Sequence, residues 1–233
     1  KLSVGRRVRI QVESLQIKTP EGSELLSVKE TYFYIPILSQ IFDFFTGSSN
    51  DRDNNAHFKK NRVSYFVKRE GAFAGINGSF FFKSGTPVGT LIINKQMVSS
   101  PFYNRTALIL FENGDAKIDR VKMEGFLKLQ NGHTFPFSAV NQPITNNEIM
   151  LYTPDYQVTD NTAATNIIII NGKVSSVSHG QNKIPPNGFI LCAIGNSGEL
   201  LHSIFKTGES VKIFFMASPS LDGVKHIIAG GPR

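Results

Sequence analysis

Apolar positions follow two different rhythms along this chain. From about Thr106 onward, short runs rich in Val, Ile, Leu and Phe are separated by Gly, Asn, Ser and Lys, the pattern of strands and turns. Asn-Gly pairs begin at residues 77, 113, 131, 171 and 187. Asn-Gly accepts positive φ at both central positions of a tight hairpin turn. Three of the pairs separate expected strands. Thr106–Phe111 turns into Ala116–Leu129, which turns into His133–Val140, and Asn166–Ile170 turns into Lys173–Val177. Further strands are expected at Phe189–Ile194, Leu200–Phe205 and Val211–Ala217, joined through Gly195-Asn196-Ser197-Gly198 and Lys206-Thr207-Gly208-Glu209.

The first third has the other rhythm. Val8–Ile17 and Glu24–Ile35 predict strands around Pro20-Glu21-Gly22-Ser23. Ile37, Leu38, Ile41, Phe42 and Phe45 then fall at helical spacing. The stretch 47–61 is polar and predicts a loop. Val63–Glu70 predicts a short helix with Val63, Phe66 and Val67 inward, and Ala72–Ile76 a buried strand leading to Asn77. The expected class is α+β, mostly antiparallel sheet, with helices in the N-terminal third. The expected division is 1–62, carrying the first strands, the apolar helix and the loop, and 63–233, the main domain; one continuous domain is the other option.

Charge changes this picture little. The formal net charge is +7, which suits an anionic glycan, a cell envelope or nucleic acid. The basic residues are dispersed, however, with short clusters only at Arg6-Arg7-Val8-Arg9 and Lys59-Lys60-Asn61-Arg62. No nucleic-acid recognition pattern accompanies them. The expectation is a solvated basic surface with peripheral cell-envelope contact as an option. The lone Cys192 lies in an apolar run and is expected to be a buried small hydrophobe. The five histidines have no zinc-ligand spacing, and no metal or cofactor is expected.

Three polar corners carry candidate chemistry. Asn77-Gly78 closes the small apolar segment 72–76, where backbone amides can approach a ligand. The local alternative is a plain turn. Arg105 opens an apolar strand and can hold a phosphate bidentately, or pair with a surface carboxylate. Asn141 and Thr153 end strands and can bind sugar hydroxyls or cap turns. Glycosidic cleavage uses carboxyl groups, but none of Asp155, Asp160, Glu209 and Asp222 stands out by spacing, so the catalytic acid or base stays unassigned.

In order along the chain, Ala74-Gly75-Ile76-Asn77-Gly78-Ser79-Phe80-Phe81, Thr86–Asn94, Asn104-Arg105-Thr106-Ala107-Leu108, Val140-Asn141-Gln142-Pro143, Leu151-Tyr152-Thr153-Pro154, Ile184–Leu191 and Ile228-Ala229-Gly230-Gly231-Pro232-Arg233 resemble the segments of the phosphodiester glycosidase family. The resemblance runs from about Val63 to Arg233. It implies a secreted or cell-surface hydrolase that splits a sugar-1-phosphodiester in glycan or exopolysaccharide metabolism. Arg105 is then expected to contact the phosphate, Asn77 and the amides around Gly78 to bind phosphate or sugar, and Asn141 and Thr153 to line the sugar pocket. The family's later Arg-Thr-Ala-x-Gly-like and Asp-Gly-Gly-Gly-Ser-Ser-like segments are not in this sequence. The resemblance therefore implies a C-terminal portion of the same protein as a partner. The alternatives are a non-catalytic module for anionic glycan, or a fragment active only with a second chain.

Overall fold

The computed structural model describes residues 8–18, 24–35, 61–69, 71, 75, 78–82, 85–159 and 161–230, the first two segments as backbone only. The expected class holds: the described residues are mostly antiparallel sheet with two α-helices. Strands β1 (Val8–Lys18) and β2 (Glu24–Ile35) pair antiparallel as a two-stranded ribbon, from Val8↔Ile35 to Lys18↔Glu24. The turn expected at 20–23 and the apolar helix expected over 37–45 lie outside the described residues. Helix α1 (Val63–Arg69) follows, with Phe66 buried. Of the strand expected over 72–76 only Gly75 is described, and it is exposed and outside any strand.

The remaining strands are β3 (Leu91–Ile93), β4 (Gln96–Ser99), β5 (Arg105–Phe111), β6 (Ala116–Leu129), β7 (Thr134–Phe137), β8 (Ala139–Val140), β9 (Ile149–Tyr152), β10 (Thr165–Ile170), β11 (Lys173–His179), β12 (Gly188–Ala193), β13 (Val211–Ser218) and β14 (Val224–Ala229). They form a five-stranded sheet in the order β11-β10-β12-β9-β8 and a seven-stranded sheet in the order β13-β6-β5-β14-β3-β4, with β7 beside β6. A bridge between Ser100 and Val140 joins β4 to β8, and one between Lys173 and Ser210 joins β11 to the start of β13. The two sheets are thus stitched at both margins. Their shared core includes Leu127, Leu129, Val140, Leu151, Ile167, Ile169, Leu191 and Val211. Cys192 is fully buried on β12, as its apolar run predicts.

Several boundaries differ from the sequence pattern for identifiable reasons. His133–Val140 is not one strand. It breaks at Ser138, and β7 and β8 belong to different sheets. Leu200–Phe205 is not a strand but part of helix α2 (Asn196–Ile204), so the expected Gly195–Gly198 link opens a helix and helices are not confined to the N-terminal third. Leu201 and Ile204 both pack on the shared core, Leu201 fully buried, and the helix docks on β10 and β12. Tertiary packing therefore decides this short apolar segment, whose length and composition suit strand or helix alike. Among the Asn-Gly pairs described at both residues, only Asn171-Gly172 has positive φ at both. At Asn113-Gly114 and Asn131-Gly132 the glycine alone is left-handed, closing three-residue loops marked by Phe111 N–H to Asp115 O and Leu129 N–H to His133 O. The β3–β4 turn has positive φ at Asn94 and Lys95, without glycine.

Gly125 on β6 is required by close packing. A Cβ there would overlap the ring edge of Phe137 and stand 2.7 Å from Phe102 Cζ. Gly125→Ala is therefore expected to cost about 1–3 kcal/mol, read as a lowered urea midpoint. A second expectation concerns pH. His226 on β14 is 2% exposed, and its Nδ1 accepts the Asn94 N–H at 3.2 Å. Desolvation, with Lys225 beside it, pushes its pKa from 6.5 down to about 4. Between those values the unfolded chain binds the proton and the folded chain does not. Stability is then lost as pH falls through that window, by about 3 kcal/mol in all. Urea titrations from about pH 7 to pH 4 should show this loss, and His226→Gln should flatten it.

Candidate functional site

Arg105 begins β5 on the same face as Ala107 and Ile109, which are core residues. Its side chain thus leaves the end of a core cluster built by the seven-stranded sheet. The guanidinium carbon lies 5.3 Å from the centroid of the Tyr103 ring, and Tyr103 is 48% exposed. Arg105 forms no ion pair with a described carboxylate. Its Nε is buried and finds no hydrogen-bond acceptor among the described residues. A buried N–H of a cation without an acceptor is costly.

The loop before Arg105 is held under strain. Phe102 has φ 56°, a left-handed conformation that a bulky side chain rarely adopts. Its ring packs against Phe137 at 5.6 Å and Phe215 at 6.3 Å between centroids, and its N–H reaches Ser100 Oγ at 3.3 Å. Such strain persists where the surroundings over-determine the backbone. Here they fix the direction from which Tyr103 and Arg105 emerge.

The Gly78 corner meets this place through Gly230. Gly230 donates its N–H to Thr106 O at 3.2 Å. A Cβ on Gly230 would stand 3.1 Å from Gly78 O and 4.0 Å from Ser79 Cα. Glycine at 230 therefore lets three chain segments converge next to Arg105. Gly78 and Arg105 are brought together in this sense, and Gly230 joins them. Asn77 lies outside the described residues.

Asn141 and Thr153 form a second group. Asn141 follows β8 with φ 51° and is fully buried. Its Nδ2 donates to Val98 O and to Thr153 Oγ1, both at 2.7 Å, and its Oδ1 accepts the Thr153 N–H at 2.9 Å. Both amide donors are spent within the protein, so the side chain seats Thr153. Thr153 Oγ1 in turn donates to Asp155 Oδ2 at 3.4 Å, which also accepts Gln96 Nε2 at 3.2 Å. Beside this group, Gln142 Nε2 donates to Pro87 O at 2.9 Å and to Ser99 Oγ, and Tyr152 donates its hydroxyl to Gln142 O at 2.9 Å. Thr90 and Ser100 share a hydrogen bond at 3.0 Å. This buried polar seam joins the two sheets.

The two groups do not share one contact shell. Strands β14 and β3 separate β5 from β4, three strand spacings or roughly 14 Å along the sheet. Asp155 lies at the Gln96 end of β4, whereas Ser100 lies at the end nearer Gly230. Among the carboxylates without distinguishing spacing, only Asp155 adjoins a predicted site residue in the described region. Asp222 accepts Ser220 Oγ at 2.6 Å in an exposed turn, and Glu209 offers its backbone carbonyl to Val174 N–H at 2.9 Å. Asp160 lies outside the described residues. Sequence pattern gave Tyr103 and Gln142 no role of their own and left Asp155 as one of four carboxylates without distinguishing spacing. The available signal was the place of Tyr103 two residues before Arg105, and that of Asp155 two residues after Thr153.

No family model matches the chain, and no curated protein matches it. Solved structures that share its fold include the following two. A hypothetical protein from Synechocystis aligns with TM-score 0.65 at 18% identity, over 73% of this chain and 34% of that one. A "Putative exported protein" from Burkholderia pseudomallei K96243 aligns with TM-score 0.62 at 20% identity, over 73% of this chain and 43% of that one. The alignment thus covers less than half the length of either neighbour. No helix among the described residues is long and apolar enough to cross a membrane.

Proposed function

We propose that this chain supplies the phosphate-binding part of a site that hydrolyses a sugar-1-phosphodiester. The observation that carries this reading is Arg105, a cation with a buried Nε lacking an acceptor, beside the Gly78–Gly230 approach. A guanidinium presents a planar fork to two phosphate oxygens, and backbone N–H groups at a glycine corner add donors. In the reaction, water attacks the anomeric carbon, the bond to the phosphate oxygen breaks, and a free sugar and a phosphomonoester leave. Arg105 stabilises the charge that develops on the departing phosphate oxygen. Asn77 and Gly78 bind phosphate or sugar, and Thr153, seated by Asn141, serves a more distant part of the glycan. An exported location suits this reading, in line with the description of one structural neighbour.

The test is to incubate the protein that carries this chain with a hexose-1-phosphate methyl ester and follow both products. Stoichiometric free sugar and methyl phosphate support the reading; release of neither refutes it. One observation favours a second reading, a module that binds anionic glycan without cleaving it: none of the described carboxylates pairs with Arg105. Binding of the ester without product would select that reading.

A further inference from the structure

Strands β13, β6 and β7 pair side by side at one margin of the seven-stranded sheet. Leu127, Leu129 and Val211 point into the shared core, so the alternate positions on these strands point away from it. On that outward face Phe214 stands opposite Phe126, and their rings stack at 5.3 Å with planes 16° apart. Met216 is the next outward residue of β13; Phe214 and Met216 are 36% and 56% exposed. Lys212 faces Lys128 directly across the same ladder, and both are exposed. Like charges so placed repel, and neither lysine pairs with a described carboxylate. Arg120 and Lys122 continue the row on β6. The one carboxylate at the outward positions of these three strands is Glu124, ion-paired to Lys122 at 2.8 Å.

An apolar centre beside uncompensated positive charge complements a surface that is anionic outside and apolar beneath. A sugar ring stacks on the flat side of an aromatic ring, but Phe126 and Phe214 turn a side of each toward the other, and Met216 offers no plane. A second copy docked by two-fold symmetry would set this positive face against itself. We infer that the outward face of β13, β6 and β7 docks the protein on a bilayer containing anionic lipid. Phe214 and Met216 enter the boundary between headgroups and acyl chains, while Lys128 and Lys212 meet the lipid phosphates and are relieved of their mutual repulsion. The inference is independent of the phosphate assignment, because Arg105 lies on the core-facing side of β5.

The experiment is co-sedimentation of the protein that carries this chain with vesicles of phosphatidylcholine, and with vesicles of phosphatidylcholine and phosphatidylglycerol in equal parts. Partitioning to the anionic vesicles is expected to exceed that to the neutral ones by about tenfold or more, and to fall as salt is added. Phe214→Ser/Met216→Ser should lower it by roughly tenfold through the lost apolar burial. Lys128→Glu separates docking from folding. It replaces a like-charge pair by an ion pair, so the urea midpoint should hold or rise while partitioning falls by about tenfold or more. Equal partitioning to the two vesicles would overturn the inference, as would native partitioning of Lys128→Glu. Dextran sulfate that binds the native protein and Phe214→Ser/Met216→Ser equally well, with no vesicle binding by either, would make the face a surface for soluble polyanions and overturn it too. A dimer in sedimentation that Phe214→Ser/Met216→Ser abolishes would give the face to a second copy instead.

Discussion

Replacing Arg105 by alanine is expected to lower kcat/KM for a sugar-1-phosphodiester by about 10²–10³ while leaving the fold nearly as stable as before. The two halves of this expectation have one source. Arg105 pairs with no described carboxylate, and its Nε has no acceptor among the described residues. Its removal therefore strands no buried partner. The internal interaction lost is the Tyr103 stack at 5.3 Å, worth about 0.5–1 kcal/mol at an exposed ring. Arginine used for stability would behave in the opposite way, leaving an unpaired carboxylate behind. Arg105→Lys separates charge from geometry. It keeps the cation but loses the planar fork, so an intermediate rate is expected. Activity of Arg105→Ala within about twofold of the native rate would end the phosphate assignment, because a lost donor to developing charge costs far more. A fall in stability well beyond the stacking term would make the arginine structural.

The residues that announced the fold were those whose local chemistry is strong. Ala116–Leu129 and Glu24–Ile35 match observed strands at both ends, because β-branched runs bounded by turn residues leave few options. What escaped was set by partners distant in sequence. β4 and β14 owe their places to pairing, β4 with β3 and β14 with both β3 and β5. Helix α2 occupies a segment that also reads as a strand, and only its docking on β10 and β12 decides between the two. The Asn94-Lys95 turn lacks the glycine that usually marks positive φ.

The candidate site divides in the same way. Arg105 was legible as a cation opening an apolar strand, a position that an edge arginine paired with a surface carboxylate would occupy equally well. Its lack of a carboxylate was not, since that depends on what the fold brings near. Asn141 and Thr153 were legible as polar strand ends, and their mutual bonding follows from the parallel pairing of β8 and β9, Val140 against Leu151. That pairing turns an apparent ligand-binding pair into a seat and its occupant. The closeness of Gly78 and Gly230 is a contact across about 150 positions of chain, and no local pattern predicts it.

Asn141→Ala is expected to destabilise the protein by about 3–5 kcal/mol, more than any other single polar substitution in the seam. Asn141 is fully buried, so water cannot replace its amide. Truncation removes three hydrogen bonds, to Val98 O, Thr153 Oγ1 and Thr153 N–H. It leaves a buried carbonyl and a backbone N–H without partners, each costing about 1–3 kcal/mol. It also leaves alanine at φ 51°, a conformation asparagine tolerates better. Asn141→Gly separates these terms, since glycine relieves the backbone but not the lost bonds. Its urea midpoint should fall between those of the native protein and Asn141→Ala. Both variants should bind methyl phosphate with native affinity wherever they remain folded, because the phosphate is assigned to Arg105, across β14 and β3 from this seam. A stable Asn141→Ala protein would remove the seam as the joint between the sheets. A folded variant that lost phosphate binding would instead place Asn141 in the phosphate site and contradict the separation of the two groups.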